Sequence, residues 1–175
     1  MDGPPGRLSD HPQFEEVPLR SRRCVAHARH LREKLIGNMS IGRAKKMQEL
    51  EVYSMVGTEG FTRLVAAFYR QVPQDDLLGP MYPARDLPGA EQRLRDFLIG
   101  RFGGPQTYIE QRGHPRLRAR HSPFPINQAV RDRWMRLMDN ALGEASLPGG
   151  AEQVLRKFFN EMSTFMINQV EAGIR

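Results

Sequence analysis

The sequence lacks the features that mark several large classes of protein. Its only cysteine, Cys24, excludes an internal disulfide, and the absence of any apolar run of about 18 residues excludes an ordinary membrane-spanning helix. No N-terminal apolar block precedes a plausible cleavage site, so we expect a soluble, cytoplasmic protein. No stretch alternates apolar and polar residues in the way that is typical of a β-strand, which predicts an all-α fold.

The motifs of several catalytic sites are also missing. No HExxH motif or cysteine pair supplies the ligands of a zinc site, and no glycine-rich loop follows a strand to hold a phosphate group. The single cysteine lies near the N-terminus, and no serine occupies the strand-to-helix turn of a hydrolase nucleophile. These absences argue against zinc enzymes, nucleotide-binding folds and nucleophilic hydrolases.

The charge of the chain is concentrated in its first quarter. Of the net charge of +6 over 175 residues, residues 1–19 carry −3 and residues 20–46 carry +8, which leaves +1 for residues 47–175. We predict a disordered, basic extension over 1–46, with a helix around 25–35, and one domain over 47–175. An alternative is that translation starts at Met39 or Met47.

Apolar residues recur at spacings of three and four through most of residues 47–175. The clearest stripe runs over 58–72, with Thr58 as its cap, and further helices are predicted at about 87–102, 127–143 and 150–172. The segment 106–126 differs because it contains only one short helical piece between prolines and is dense in arginine and histidine. We therefore predict five or six helices, with functional surface at 106–126.

His121 is the candidate for chemistry in this segment. It follows a basic stretch that includes Arg112, Arg116, Arg118 and Arg120, and it faces helices rich in Phe, Leu and Met. A neutral imidazole among apolar helices is a common axial ligand of haem iron, and arginines can pair with the haem propionates. A lone histidine is more often a surface or core residue, so the spacing alone leaves both interpretations open.

Three further side chains favour a cavity that holds a polar ligand. Tyr69 lies on the apolar stripe of the first strong helix, Tyr82 lies in the connection that follows it, and Trp134 lies on an inward helix face. Each carries a polar hydrogen at the end of an apolar body, and such donors can stabilise partial negative charge on bound oxygen. Taken singly, each residue could instead pack in the core and donate to a backbone carbonyl.

From about residue 51 onward the sequence resembles the group II truncated haemoglobins, which are small bacterial and plant globins. The resemblance rests on FYRQV (68–72), LLGPMYP (77–83), DLPGAEQRLRDFL (86–98) with the GGP after it, TYIEQRGHPRLRARHSPFPI (107–126) and RDRWMRLM (131–138). The block GHPRLRARHSPF is the most characteristic part. The resemblance implies an all-α, two-over-two helical sandwich around haem b (iron protoporphyrin IX), with the extension 1–46 outside it.

The resemblance also implies roles for individual residues. His121 would be the proximal ligand of the iron, and Tyr69, Tyr82 and Trp134 would stabilise the distal ligand, because Ala90 stands at the distal-helix position and cannot donate a hydrogen bond. The remaining predicted haem contacts are Ala90, Leu94, Phe97, Tyr108, Leu117, Arg120, Phe124, Ile126 and Met138. His114 belongs to the same block, but we expect it to be structural or to lie near the propionates.

The function that the resemblance implies is binding of O2, and of CO, NO or peroxide, at a ferrous iron. Storage or sensing is expected rather than delivery, because several hydrogen-bond donors would slow the release of the ligand. The alternative is an NO dioxygenase or peroxidase that depends on a separate reductase, and a basic nucleic-acid-binding protein is a remote one. We expect a monomer or homodimer with no membrane partner. One departure is the pair Gly57-Thr58, where the resembled family usually has two glycines.

Overall fold

The computed structural model describes Lys34 and residues 49–82 and 84–169. The chain divides into two units, residues 1–43 and 44–175, and every described residue except Lys34 belongs to the second. The predicted extension and its helix around 25–35, apart from Lys34, lie outside the described residues. Within the described ranges all regular structure is helical, which confirms the all-α prediction. No helix in those ranges has the length and apolar character needed to cross a bilayer.

The second unit is a succession of helices with short connections. The first helix, α1, occupies residues 49–71. It is followed by the 3-10 turns Val72–Gln74, Gly79–Met81 and Ala84–Asp86, and then by α2 (Leu87–Arg101), α3 (Thr107–Arg112), α4 (Leu117–His121), α5 (Gln128–Ala145) and α6 (Gly149–Met166). The segment 106–126 thus contains two short helices, where the sequence predicted one.

Helix α1 changes direction at Gly57. The φ angle of Gly57 is +64°, in the left-handed region, and a Cβ there would meet nothing within 4 Å. A left-handed residue separates two right-handed helical arms, 49–56 and 58–71. The Thr58 hydroxyl lies 3.0 Å from the Tyr53 hydroxyl and joins the two arms. The turn therefore forms with Gly57-Thr58 in place of two glycines.

Aromatic contacts join the four long helices into one core. The second arm of α1 packs on α5 through Phe68 and Trp134, whose ring centroids lie 5.3 Å apart. Phe61 of α1 stacks on Phe102, the residue after α2, at 6.0 Å, and Phe102 in turn meets Phe158 of α6 edge-on at 5.0 Å. Helices α5 and α6 also pack directly against each other. Burial of these rings and of the aliphatic side chains around them holds the helices together.

The connection between α1 and α2 is anchored by Asp75. Its Oδ1 accepts hydrogen bonds from the amides of Leu77 (3.0 Å) and Leu78 (2.8 Å), and its Oδ2 lies 2.7 Å from a guanidinium nitrogen of Arg133 on α5. Desolvation alone would raise the pKa of Asp75, but the hydrogen bonds from Arg133 and the two amides outweigh it and lower that pKa below its usual value. The carboxylate thereby fixes the connection that carries Tyr82.

Candidate functional site

A cavity of about 490 Å³ lies among α1, α2, α5 and α6, with α3 and α4 on one side. Its volume falls within the range of about 300–1,000 Å³ that is usual for sites that bind small molecules and cofactors. Residues that were predicted from the sequence to hold haem line this one cavity: Tyr69, Tyr82, Ala90, Leu94, Phe97, Tyr108, Leu117, Arg120, His121, Phe124, Ile126 and Trp134. The tertiary structure therefore brings together side chains from five helices and two connections.

His121 is the last residue of α4 and presents one free ring nitrogen. Its Nδ1 lies 2.7 Å from the carbonyl oxygen of Leu117, one turn earlier in the same helix. A carbonyl only accepts, so Nδ1 carries a proton, and in the neutral imidazole Nε2 then keeps its lone pair. No hydrogen bond to Nε2 is found in the part of the chain that the structure describes. This is the arrangement of a metal-binding histidine whose second nitrogen is oriented by a backbone carbonyl.

The three predicted hydrogen-bond donors lie near one another on the cavity wall, Tyr69 and Trp134 on long helices and Tyr82 in the connection after α1. Tyr69 is buried, and its ring meets that of Tyr82 edge-on at a centroid distance of 5.8 Å. Trp134 packs between Phe68 of α1 and Phe159 of α6, with centroid distances of 5.3 and 5.7 Å. All three residues line the cavity with their aromatic bodies packed in or against the core, and the Trp134 side chain hydrogen-bonds to the Tyr82 hydroxyl.

Both tyrosines remain neutral at physiological pH. Burial raises the pKa of Tyr69 far above its usual value, and the neighbouring phenol of Tyr82 raises it further. Desolvation also raises the pKa of Tyr82, and a hydrogen bond with the Trp134 side chain opposes part of that rise. Since each phenol keeps its proton, each can donate a hydrogen bond into the cavity throughout the physiological range.

A charged pair that the sequence analysis did not identify forms another part of the wall. Arg93 of α2 makes two hydrogen bonds to the carboxylate of Asp86, at 3.3 and 2.5 Å, and both residues line the cavity. The hydrogen bond to Arg93 is the main cause that lowers the pKa of Asp86. A guanidinium fixed in this way offers a positioned positive charge at the edge of an otherwise apolar cavity.

The basic segment around His121 is mostly solvent-exposed. Arg120 lines the cavity and is held by backbone oxygens, with its Nε 2.9 Å from Pro115 O and a terminal nitrogen 3.3 Å from Arg112 O. His114 is exposed, does not line the cavity, and accepts a hydrogen bond from the amide of Arg116 at 3.2 Å. Of the two histidines in this segment, His121 alone belongs to the site.

One predicted haem contact is placed elsewhere by the structure. Met138 is fully buried in the core and does not line the cavity, although it shares a helix face with Trp134. Met138 lies one turn further along α5 than Trp134, about 6 Å along the helix axis. Its role as a haem contact stays a prediction.

Several cavity residues were not predicted as part of the site. They are Leu78, Met81, Asp86, Leu87, Arg93, Leu98, Val130, Arg131, Phe158, Phe159, Met162, Ser163 and Met166. Helical spacing could have found some of them, because Leu87 and Arg93 each lie three positions from Ala90, and Val130 lies four positions from Trp134. Arg131 is notable since its Nε is buried without a hydrogen-bond partner within the described ranges.

Comparison with known proteins places this site in a family. Residues 51–168 match the family model described as bacterial-like globin. The chain is 38% identical over 123 residues to the group 2 truncated hemoglobin YjbI of Bacillus subtilis, covering 70% of this chain and 92% of that protein. It is 28% identical over 124 residues to two-on-two hemoglobin-3 of Arabidopsis thaliana, covering 69% of this chain and 71% of that one.

Solved structures agree with this assignment. A thermostable hemoglobin from the actinobacterium Thermobifida fusca superposes with a TM-score of 0.65 at 47% identity, covering 67% of this chain and 96% of that chain. The group II truncated hemoglobin of Bacillus anthracis gives a TM-score of 0.66 at 30% identity, covering 70% and 95%. These matches confirm the predicted truncated globin fold. The chain therefore belongs to the bacterial-like globins, among the group II truncated haemoglobins, and is a haem protein.

Proposed function

We propose that this globin binds O2 tightly and reversibly at a ferrous haem b held by His121, in a storage or sensing role in the cytoplasm. The observation that supports the proposal is that the free Nε2 of His121 and the polar groups of Tyr69, Tyr82 and Trp134 belong to residues lining one mostly apolar cavity. Haem, when bound, supplies an iron centre to which a diatomic ligand can add. The protein supplies the axial nitrogen, the donors and the exclusion of water.

The residues of the cavity fit the chemistry of haem at both its apolar and its polar parts. Leu94, Phe97 and Ile126 offer apolar walls of the kind that keep water from a porphyrin. Haem also carries two anionic propionates, and Arg93 and Arg120 place guanidinium groups on the cavity wall for them. The buried, unpaired Nε of Arg131 is a further donor on the same wall.

Tight binding of O2 follows from the donors. Bound O2 carries partial negative charge, and a hydrogen bond from a neutral phenol or indole in a dry cavity stabilises that charge. Ala90 has no donor to contribute, so this stabilisation depends on Tyr69, Tyr82 and Trp134. Several donors lower the rate at which the ligand leaves, which suits storage or sensing better than delivery.

The test is the visible absorption spectrum of the purified full-length chain, reconstituted with haem and compared with His121→Ala. His114→Ala is the matched control, because it removes an exposed histidine from the same segment. We expect wild type and His114→Ala to hold haem stoichiometrically and to give stable oxygenated spectra that His121→Ala loses. Failure of the wild type to retain haem, or an unchanged spectrum in His121→Ala, would overturn the proposal.

The alternative reaction is oxidation of NO to nitrate, or reduction of peroxide, in the same cavity. Each turnover would take one electron from the cofactor for oxidation of NO by O2, or two for reduction of peroxide to water, and a separate reductase would have to return them. Mixing the oxygenated protein with NO and measuring nitrate tests this reaction directly. One nitrate per haem without a reductase, and many with one, would establish turnover. CO and NO as further ligands, and a monomeric or homodimeric state, remain predictions.

A further inference from the structure

Asn168, two residues after the end of α6, makes an unusual set of contacts with the segment after His121. The side-chain amide of Asn168 donates to the carbonyl oxygens of His121 (3.3 Å) and Phe124 (2.9 Å), and its Oδ1 accepts from the amide of Ile126 at 3.0 Å. The amides of Asn168 and Gln169 both donate to Ile126 O, at 2.9 and 3.1 Å. One side chain thus holds three backbone groups of residues 121–126.

A second contact joins the same two parts of the molecule. Arg118 of α4 donates to the carbonyl oxygen of Phe165 at 2.8 Å, and its guanidinium carbon lies 5.3 Å from the centroid of the Phe165 ring. Both Arg118 and Phe165 are exposed. The residues at and just after the end of α6 therefore hold the segment 117–127, here called the proximal segment, on both sides of His121.

These contacts matter because packing fixes the proximal segment only in part. Helix α4 has five residues, none of them fully buried; Leu117 packs against the core, and Arg120 bonds to the backbone oxygens of Pro115 and Arg112. Helices this short are marginal without tertiary contacts. The contacts from the residues at and just after the end of α6 add to these and help to determine where the His121 backbone lies, and with it the direction of the imidazole.

We propose that Asn168 is a positioning residue for His121, holding residues 121–126 so that the imidazole keeps the orientation needed to bind iron. The proposal rests on the proposed haem ligation by His121. In this proposal the residues just after α6 determine how strongly the protein holds its cofactor through His121. Asn168 acts through the backbone and does not line the cavity.

The experiment compares full-length wild type with Asn168→Ala and Asn168→Asp. The Asp variant keeps an acceptor for the Ile126 amide but loses both donors. Asn140→Ala is the matched control, because Asn140 is an exposed asparagine whose amide donates to Gln71 Oε1 at 3.1 Å, away from the proximal segment. The measurements are amide hydrogen exchange over residues 117–127 with and without haem, the rate of haem loss, and the iron–histidine stretching band in resonance Raman spectra.

For Asn168→Ala we expect exchange over 117–127 to rise about five- to tenfold, haem to dissociate faster by a similar factor, and the iron–histidine band to shift or broaden. Asn168→Asp should show the same changes, and Asn140→Ala should match wild type in all three measurements. An unchanged iron–histidine band and haem-loss rate in Asn168→Ala, with wild type binding haem, would overturn the positioning role. If wild type holds no haem, the proposed function fails instead, and exchange without haem still reports whether Asn168 holds the segment.

Discussion

The two walls of the cavity are built in different ways. The wall that carries Tyr69 and Trp134 belongs to long helices whose aromatic rings interlock in the core, and Phe159 behind it is only 2% exposed. The wall that carries His121 consists of two short helices and a proline-rich turn, and its Phe124 is 38% exposed. Apolar burial fixes the first wall, whereas hydrogen bonds to backbone groups fix the second.

This difference gives one small fold a rigid wall, which carries Tyr69 and Trp134, and a more adjustable wall, which carries His121. Donors that must point at a small ligand require fixed directions, and close packing supplies them. A metal ligand on a hydrogen-bonded segment can move by small amounts when a few contacts change, because each hydrogen bond contributes only about 1 kcal/mol net. Substitutions on the two walls should therefore affect different properties, and the following predictions test that separation.

The largest contrast is expected between two phenylalanines that line the same cavity. Phe159→Ala should lower the free energy of unfolding by about 3–5 kcal/mol, because it leaves a hole in the core. Phe124→Ala should lower it by less than about 1 kcal/mol, since the ring is already partly in solvent. Chemical denaturation of the two variants measures both losses of unfolding free energy. Equal losses would mean that burial stabilises the two walls to the same extent.

A second test concerns the corner where α2 ends against α1. Gly103 has a φ of +102°, and a Cβ there would collide with the Leu50 carbonyl oxygen. Gly103→Ala should therefore cost about 2–3 kcal/mol. Gly143→Ala is the control, because Gly143 lies within α5 with nothing near its Cβ position, and it should stabilise by about 0.5–1 kcal/mol. Thermal unfolding of both variants would show shifts of opposite sign, and shifts of the same sign would contradict this account.

Asp75 anchors the connection that carries Tyr82, and its contribution to the free energy of unfolding should depend on pH. Asp75→Asn should lower the free energy of unfolding by about 2 kcal/mol near neutral pH, because it leaves Arg133 without one of its charged partners. The pKa of Asp75 is lowered in the folded state, so its contribution is present above the usual value of 3.8 and is lost as pH falls through the lower folded value. Unfolding of wild type and variant from pH 7 to pH 2 should show the difference shrinking at the acid end.

Asp139→Asn provides an exposed ion pair for comparison with the stability loss expected for Asp75→Asn. Asp139 pairs with Arg156, but its side chain is 41% exposed, against 7% for Asp75. Exposed pairs contribute little, so a loss of no more than about 0.5 kcal/mol is expected. A larger loss at Asp139 than at Asp75 would mean that burial does not determine the strength of these pairs.

A substitution with a small effect on stability should have the clearest functional effect. Tyr69→Phe should speed O2 dissociation about tenfold by removing one donor, while the free energy of unfolding changes by less than about 1 kcal/mol. Stopped-flow ligand displacement measures the rate. Tyr53→Phe removes a hydroxyl that contacts Thr58 outside the cavity and should leave the rate unchanged. If Tyr69→Phe also leaves it unchanged, the hydrogen bonds to the ligand come from Tyr82 and Trp134 alone.

The long helices and 12 of the 25 residues that line the cavity were predicted from the sequence, and helix α3 was not. The long helices show apolar residues at every third or fourth position, which reports directly which face is buried. Helix α3 buries only Tyr108, so it has no stripe to detect. The pairing of Arg93 with Asp86 was also missed, because it joins the inside of α2 to the turn before it.

The sequence by itself determined the helices, the directions of their faces and the residue types available for chemistry, since these depend on neighbours a few positions apart. The tertiary structure decided which side chains meet: that Asp75 meets Arg133, and that Asn168 meets His121 across 47 residues. The physical reason is that periodicity specifies the direction of a side chain about its helix axis. The partners that the side chain meets from distant parts of the sequence are set by how the helices pack.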